Sequence, residues 1–253
     1  NLDYIKRTAH ILENEAKGMV LISSGTSNIH PVWSPDEERF AYLSNQEHDN
    51  FGQTDLFFYN FVDSASQKIA AGVHTAPSWI NDSTIIYTKR SKPNKWGSKF
   101  FDLYIYTFND EEEVRVTHDS RLISPTYNPT SNQVAAITSY DGTSNILITT
   151  KLDLEKGNAV FQPITHLENG MQMLSLSWIE DKLFVDAVFH LGRQIYRVIM
   201  ETGELVPITT TLWDNRDQEQ SPTGMIYAKD QSGIYNLVIQ KNGNEEYITN
   251  VTG

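Results

Sequence analysis

The sequence predicts an all-β fold, a β-propeller of four-stranded blades, on two observations. Short signals recur in a fixed order about every 45 residues, and turn-forming residues separate the strands they mark. A β-rich run ending in Ile or Val, followed by Thr or another small residue, occurs at Ile22-Ser23, Ile69-Ala70, Val116-Thr117, Ile164-Thr165, Ile208-Thr209 and Ile248-Thr249. The steps are 47, 47, 48, 44 and 40 residues. An inner signal reads Phe40-Ala41-Tyr42, Ile85-Ile86-Tyr87, Val134-Ala135-Ala136, Leu183-Phe184-Val185 and Met225-Ile226-Tyr227. A third reads Asp55-Leu56-Phe57, Asp102-Leu103-Tyr104, Asn145-Ile146-Leu147, Gln194-Ile195-Tyr196 and Gly233-Ile234-Tyr235. A fourth stands ahead of the second, at Pro31-Val32-Trp33, Pro77-Ser78-Trp79, Pro125-Thr126-Tyr127 and Leu176-Ser177-Trp178.

Taken along the chain, residues 1–18 differ from the rest. Tyr4, Ile5, Thr8, Ile11, Leu12 and Glu15 mark one helical face, with Asp3 suited to an N-cap and Gly18 to a stop. This predicts a linker helix, or the end of an upstream domain. Residues 19–253 are the propeller. A lone outer-type strand at Met19–Ser24 precedes five complete blades between residues 27 and 250. That strand implies a sixth blade whose other three strands would follow residue 253, so a truncated six-bladed ring is expected. The turns within blades read Ser34-Pro35-Asp36, Asn128-Pro129-Thr130 and Asp141-Gly142. One blade cannot bury both faces of its twisted sheet, so blades must stack. The large residues Trp33, Trp79, Tyr127 and Trp178 are expected in the interfaces between them.

Composition narrows function mostly by exclusion. The 253 residues are 39% hydrophobic and 21% charged, an ordinary globular balance. No apolar run reaches the length of a membrane span, and no signal peptide opens the sequence. The chain does not begin with Met, and a piece of a longer polypeptide is expected. A net charge of −12 argues against nucleic acid as partner. With no cysteine there is neither a disulfide nor a thiolate site. Gly-x-Ser-x-Gly, His-Glu-x-x-His, calcium-loop and phosphate-loop patterns are all missing, so neither catalytic residues nor a cofactor are expected in this segment.

Two sets of residues remain as candidates for binding a partner. His30 and His74 both stand near the start of an innermost strand, where two imidazoles suit a metal or a peptide carboxylate, or simply face channel water. The stretch Lys89-Arg90-Ser91-Lys92-Pro93-Asn94-Lys95-Trp96-Gly97-Ser98-Lys99 carries Lys89, Arg90, Lys92, Lys95 and Lys99 around Trp96 in an otherwise acidic chain. An exposed aromatic among cations is a good anchor for a protein or an anionic polymer. The alternative is a Trp96 ring tucked onto the blade rim, as Phe51-Gly52 in the first blade suggests.

The segments His30-Pro31-Val32-Trp33-Ser34-Pro35-Asp36, Phe40-Ala41-Tyr42-Leu43-Ser44 and Asp55-Leu56-Phe57-Phe58-Tyr59 resemble the repeat of the TolB family. The same repeat occurs in propellers of the Tricorn protease and the prolyl oligopeptidase family. Glu37 stands where that repeat has Gly, Ile80-Asn81-Asp82 replaces the Ser-Pro-Asp turn in the second blade, and later blades diverge further. The resemblance covers residues 19–253 and implies a periplasmic or otherwise exported location. It implies a monomeric, non-catalytic propeller that binds another protein, or another domain of its own chain. The rival implication is a gating or substrate-selecting propeller of an exported peptidase. Asn50-Phe51-Gly52-Gln53-Thr54-Asp55-Leu56 and Gly233-Ile234-Tyr235-Asn236-Leu237 also look like propellers fused behind a metallopeptidase-like domain.

Overall fold

The computed structural model describes residues 21–249 and 251, except 26, 51, 154, 155, 190, 191, 232 and 242. Among them there is no helix, and every strand belongs to one of five four-stranded antiparallel sheets wound in chain order. Blade 1 is β1 (Asn28–Trp33), β2 (Arg39–Ser44), β3 (Asp55–Asn60) and β4 (Ala65–Ala70). Blade 2 is β5 (Ser78–Asn81), β6 (Thr84–Arg90), β7 (Phe101–Thr107) and β8 (Glu112–Arg115). Blade 3 is β9 (Leu122–Asn128), β10 (Gln133–Ser139), β11 (Ser144–Asp153) and β12 (Asn158–Pro163). Blade 4 is β13 (Gln172–Ile179), β14 (Lys182–Val188), β15 (Arg193–Val198) and β16 (Leu205–Pro207). Blade 5 is β17 (Asn215–Ser221), β18 (Gly224–Lys229), β19 (Asn236–Lys241) and β20 (Asn244–Tyr247). Blades 1 to 3 fall in one compact unit, Val20–His166, and blades 4 and 5 in another that includes Leu167–Gly253.

Alternation along the central strands explains why blades stack. On β6, Ile85 and Tyr87 point into the core shared with Leu43, Leu56 and Val73 of blade 1. Ile86, on the opposite face, joins Val116, Leu122 and Val134 in the core shared with blade 3. In the second unit Ile179, Phe184 and Ile195 of blade 4 meet Met225, Tyr227 and Val238 of blade 5. The turns between first and second strands behave as their residues predict. Asn81 Oδ1 accepts from Ser83 N at 2.9 Å, Asn128 Oδ1 from Thr130 N at 2.8 Å, and Asp36 Oδ1 from Glu38 N at 3.0 Å.

A single polar clasp accounts for two of the repeated sequence signals. At the outer edge of blade 2, Val116 N and Thr117 N both donate to Leu103 O, at 2.8 and 3.4 Å. Leu103 N donates back to the Thr117 hydroxyl at 2.9 Å, and that hydroxyl donates to Asp102 Oδ1 at 3.1 Å. Blade 3 repeats this with Ile164, Thr165, Ile146 and Asn145, and blade 5 with Ile248, Thr249, Leu237 and Asn236. Blade 4 keeps the Thr209 hydroxyl on Ile195 N at 2.9 Å and turns Gln194 onto Thr211 and Trp213. In blade 1 Ala70 replaces the threonine, and Asp55 is held by Lys68, by His48 at 3.0 Å and by Gly72 N at 2.9 Å.

Four expectations need correction or fall outside the described residues. The helix over residues 3–17 falls outside them, as does the start of the lone strand at 19–24. Residues 21–24 of that segment are not strand: Ile22 instead lays its side chain on the Phe40–Tyr42–Phe57–Tyr59 cluster of blade 1, and no ladder neighbour pairs their backbone. Among the described residues, therefore, five blades are seen and no strand of a sixth. In blade 5 the Gly233-Ile234-Tyr235 signal lies before the strand. β19 starts at Asn236, which supplies the clasp that Gly233 has no side chain to make. Trp33 is 55% exposed, not interfacial, whereas Trp79 is 6% exposed. The two rings are set alike, each stacked at 5.3 Å on a Phe, Phe61 and Phe108 respectively. Trp79 is covered because β1 lies against it and Val32 O accepts its indole N–H at 3.0 Å, but no blade precedes blade 1 within its unit.

Trp79→Ala should therefore lose about 3–5 kcal/mol in urea denaturation and Trp33→Ala less than about 1 kcal/mol; equal losses would contradict this burial. Thr165→Val, which leaves Ile146 N buried without its acceptor, should lose about 1–3 kcal/mol, and Thr165→Ser should recover most of it. Burial alone would raise the Asp102 pKa. Donation from Ser120 N and Oγ, and the Arg115 guanidinium, outweigh it and hold the carboxyl below its usual range. Its contribution is thus complete above the ordinary aspartate value and drains away as pH falls through the depressed one. Asp102→Asn should remove that acid-side loss from the stability–pH curve.

Candidate functional site

The basic stretch singled out in the sequence ends β6, crosses residues 91–100 and enters β7. It is a turn closed by its own hydrogen bonds. Ser91 N donates to Phe100 O at 2.8 Å and Asn94 N to Ser98 O at 2.9 Å. Asn94 Oδ1 accepts from Trp96 N at 2.9 Å and from Ser98 N at 3.0 Å, so one short amide fixes the tip. Gly97 N donates to Asn94 O at 2.9 Å, and Gly97 takes φ +78°, a left-handed conformation that suits glycine. Trp96 points outward from this turn, 78% exposed, with Lys95 Nζ 5.1 Å from its ring centre. The tucked-ring alternative does not hold. Phe51, its supposed counterpart, lies outside the described residues.

Neighbouring loops complete the surface. Asn94 Nδ2 donates to Asp119 Oδ2 at 3.4 Å, tying the turn to the connection between β8 and β9. From that connection Arg121 sets its guanidinium 4.5 Å from the Phe100 ring and 5.4 Å from the Tyr140 ring. Tyr140, between β10 and β11, is 62% exposed and donates its hydroxyl proton to Ser120 O at 3.3 Å. The connection is shaped from beneath by the clasp, because Asp102 accepts from Asp119 N at 3.2 Å and Ser120 N at 3.0 Å. Asp119 and Arg121 both take left-handed φ values, 53° and 54°. Such strain persists only where surrounding bonds impose it.

The candidate residues separate on this frame. Lys92, Lys95, Trp96 and Lys99 are exposed on the turn, and Arg90 is exposed beside it, 5.3 Å from the Phe101 ring. Lys89 is drawn into the sheet, where Nζ meets Glu113 Oε1 and Oε2 at 2.6 and 2.5 Å and lies 4.6 Å from the Tyr104 ring. His74 packs edge-on against Phe101 at 5.8 Å. Burial and then the Arg90 charge depress its pKa against the pull of Asp55, so at neutral pH it is an uncharged imidazole. His30 occupies the bulge of β1 at φ 53°. Arg121 and Tyr140 were not singled out in the sequence. Neither falls on a repeat signal, and the packing of blades 2 and 3 sets Arg121 between Tyr140 and Phe100, at the end of the loop that carries Trp96.

The strongest charged cluster elsewhere is architectural. Buried Asp186 accepts from Arg193 Nε at 2.9 Å and Nη2 at 2.8 Å, from Ser175 Oγ at 2.6 Å and from Asp217 N at 2.8 Å, which fastens blade 4 to blade 5. Among the described residues no three His, Asp or Glu side chains converge as a metal site.

No family model matches the chain. The Tol-Pal system protein TolB of Ruthia magnifica subsp. Calyptogena magnifica is 30% identical over 103 residues, 39% of this chain and 22% of that protein. The crystal structure of TolB from Acinetobacter baumannii superposes with a TM-score of 0.68 at 18% identity, over 88% of this chain and 54% of that one. The acylaminoacyl peptidase of Pyrococcus horikoshii superposes with a TM-score of 0.58 at 12% identity, over 90% of this chain and 39% of that one. The chain thus matches about a fifth of the curated relative's length and half that of the first structure. These likenesses are of fold, and the fold is a TolB-like β-propeller.

Because Trp96 touches no core, Trp96→Ala should change unfolding stability by less than about 0.5 kcal/mol. Iodide should quench a solvent-exposed fraction of the tryptophan emission that this variant lacks. A marked loss of stability, or unchanged quenching, would place the ring inside.

Proposed function

We propose, with the TolB-like fold as premise, that this chain is a non-catalytic protein-binding or scaffold module of a larger exported protein. It docks its partner through the loop end of blades 2 and 3. The observation that supports this is Trp96, a large apolar ring exposed at the tip of a turn whose backbone is closed by its own bonds. Folding gains nothing from that placement, whereas an interface gains a rigid aromatic anchor. The periplasmic setting named for the resemblance fits such a role.

A second reading is favoured by the likeness to an acylaminoacyl peptidase. There the partner is a catalytic domain of the same polypeptide, and the propeller gates or selects its substrate. One experiment separates the two. A photo-crosslinking amino acid replaces Trp96 in the full-length protein in its own host, with the same substitution at Thr130, on the exposed turn at the opposite end of β10, as control. The first reading expects an adduct with another protein from position 96 and none from 130. An adduct within the same chain selects the second, and equal adducts from both positions refute a docking end.

A further inference from the structure

Resting on the docking reading above, we infer that the partner element received at this loop end is an acidic, extended peptide segment. Among the described residues most cations outside this loop end lie within ion-pair distance of a carboxylate, while Arg90, Lys151, Arg197 and Lys241 do not. Arg115 is neutralised by Asp102, Arg193 by Asp186 and Asp217, Lys68 by Glu47 and Asp55, Lys89 by Glu113, and Lys229 by Glu245. In a chain with 32 acidic and 20 basic residues, a carboxylate is easily found. Among the described residues none lies within ion-pair distance of Lys92, Lys95, Lys99 or Arg121. Two carboxylates stand on these loops, Asp119, which accepts from Asn94 Nδ2, and Asp141, which accepts from Thr143 N at 3.1 Å; neither lies within ion-pair distance of these cations. These four cations without a carboxylate partner outnumber the two carboxylates on loops that also carry Trp96 and Tyr140, a surface that suits added negative charge, with aromatic rings for an apolar or proline side chain.

The shape of the charge decides between a peptide and a membrane. An anionic bilayer is a plane that meets a broad face of the molecule, and a net charge of −12 opposes that approach against only a few cations. A peptide strand is narrow and meets the basic end alone. Single exposed aromatics anchor weakly in a bilayer, whereas rings flanking cations give a strand both stacking and pairing.

The test is calorimetric titration of the chain with short poly-L-glutamate. Binding is expected at low ionic strength, and raising salt from about 50 to about 300 mM should weaken it about tenfold or more. Lys92→Gln/Lys95→Gln/Lys99→Gln should abolish it. Lys151→Gln/Lys156→Gln/Lys182→Gln, which changes net charge equally on exposed sites elsewhere, should leave it intact, and Trp96→Ala should weaken it several-fold. Unaltered melting curves confirm that these variants fold. Absence of binding, or equal loss in both lysine triples, would overturn the proposal. So would sedimentation with phosphatidylglycerol vesicles in place of peptide binding, or a preference for polygalacturonate. If position 96 still crosslinks a protein while poly-L-glutamate fails, the docking end stands and the acidic partner class falls.

Discussion

The clasp between third and fourth strands is the constraint on which the rest of this molecule depends. A blade ends where its outer strand must turn and lead into the next blade, and there two consecutive backbone N–H groups converge on one carbonyl. That crowding would leave the N–H of the acceptor residue itself unpaired in a buried place. A threonine hydroxyl takes that N–H and passes its own proton to an Asp or Asn at the head of the third strand. Three groups are satisfied by one small side chain, and the exit direction of the chain is fixed. Blade 1, with Ala70 in that place, shows the alternative: the same aspartate is kept but is held by Lys68 and His48 instead.

From this constraint follows the link between scaffold and site. Asp102 is both the blade 2 clasp and the buried anion around which the β8–β9 connection folds. That connection carries Arg121 to its position between Phe100 and Tyr140, and it meets the Trp96 turn through Asn94 and Asp119. The base of the candidate surface belongs to the repeat, through Asp102, and its tips do not. Loops positioned by an invariant frame are where a propeller can acquire a partner without disturbing its core.

Legibility in the sequence followed the same division. The threonine signal, the Asp-Leu-Tyr signal and the alternating central strands are forced by burial and hydrogen bonding within one blade, so they recur and can be read. β17 was unreadable for the opposite reason. Asn-Arg-Asp-Gln-Glu-Gln-Ser has no apolar alternation, and it is a strand because β18 pairs with it and Asp186 and Arg193 receive Asp217. Trp33 misled because its residue type and local stacking equal those of Trp79; burial came from a neighbouring blade.

By itself, then, the sequence determined the all-β class, the four-stranded unit, the positions of most strands and the basic stretch around Trp96. Each of these rests on interactions between residues close in the chain or one repeat apart. Tertiary structure alone decided which tryptophan is buried, that Ile22 lies on a sheet face and is not part of a strand, and that Lys89 is spent on Glu113. It also decided that Arg121 meets Tyr140 and that Asp119 ties its loop to the turn carrying Trp96. Those outcomes depend on what stands opposite a residue across a blade interface, and a linear pattern carries no record of its opposite.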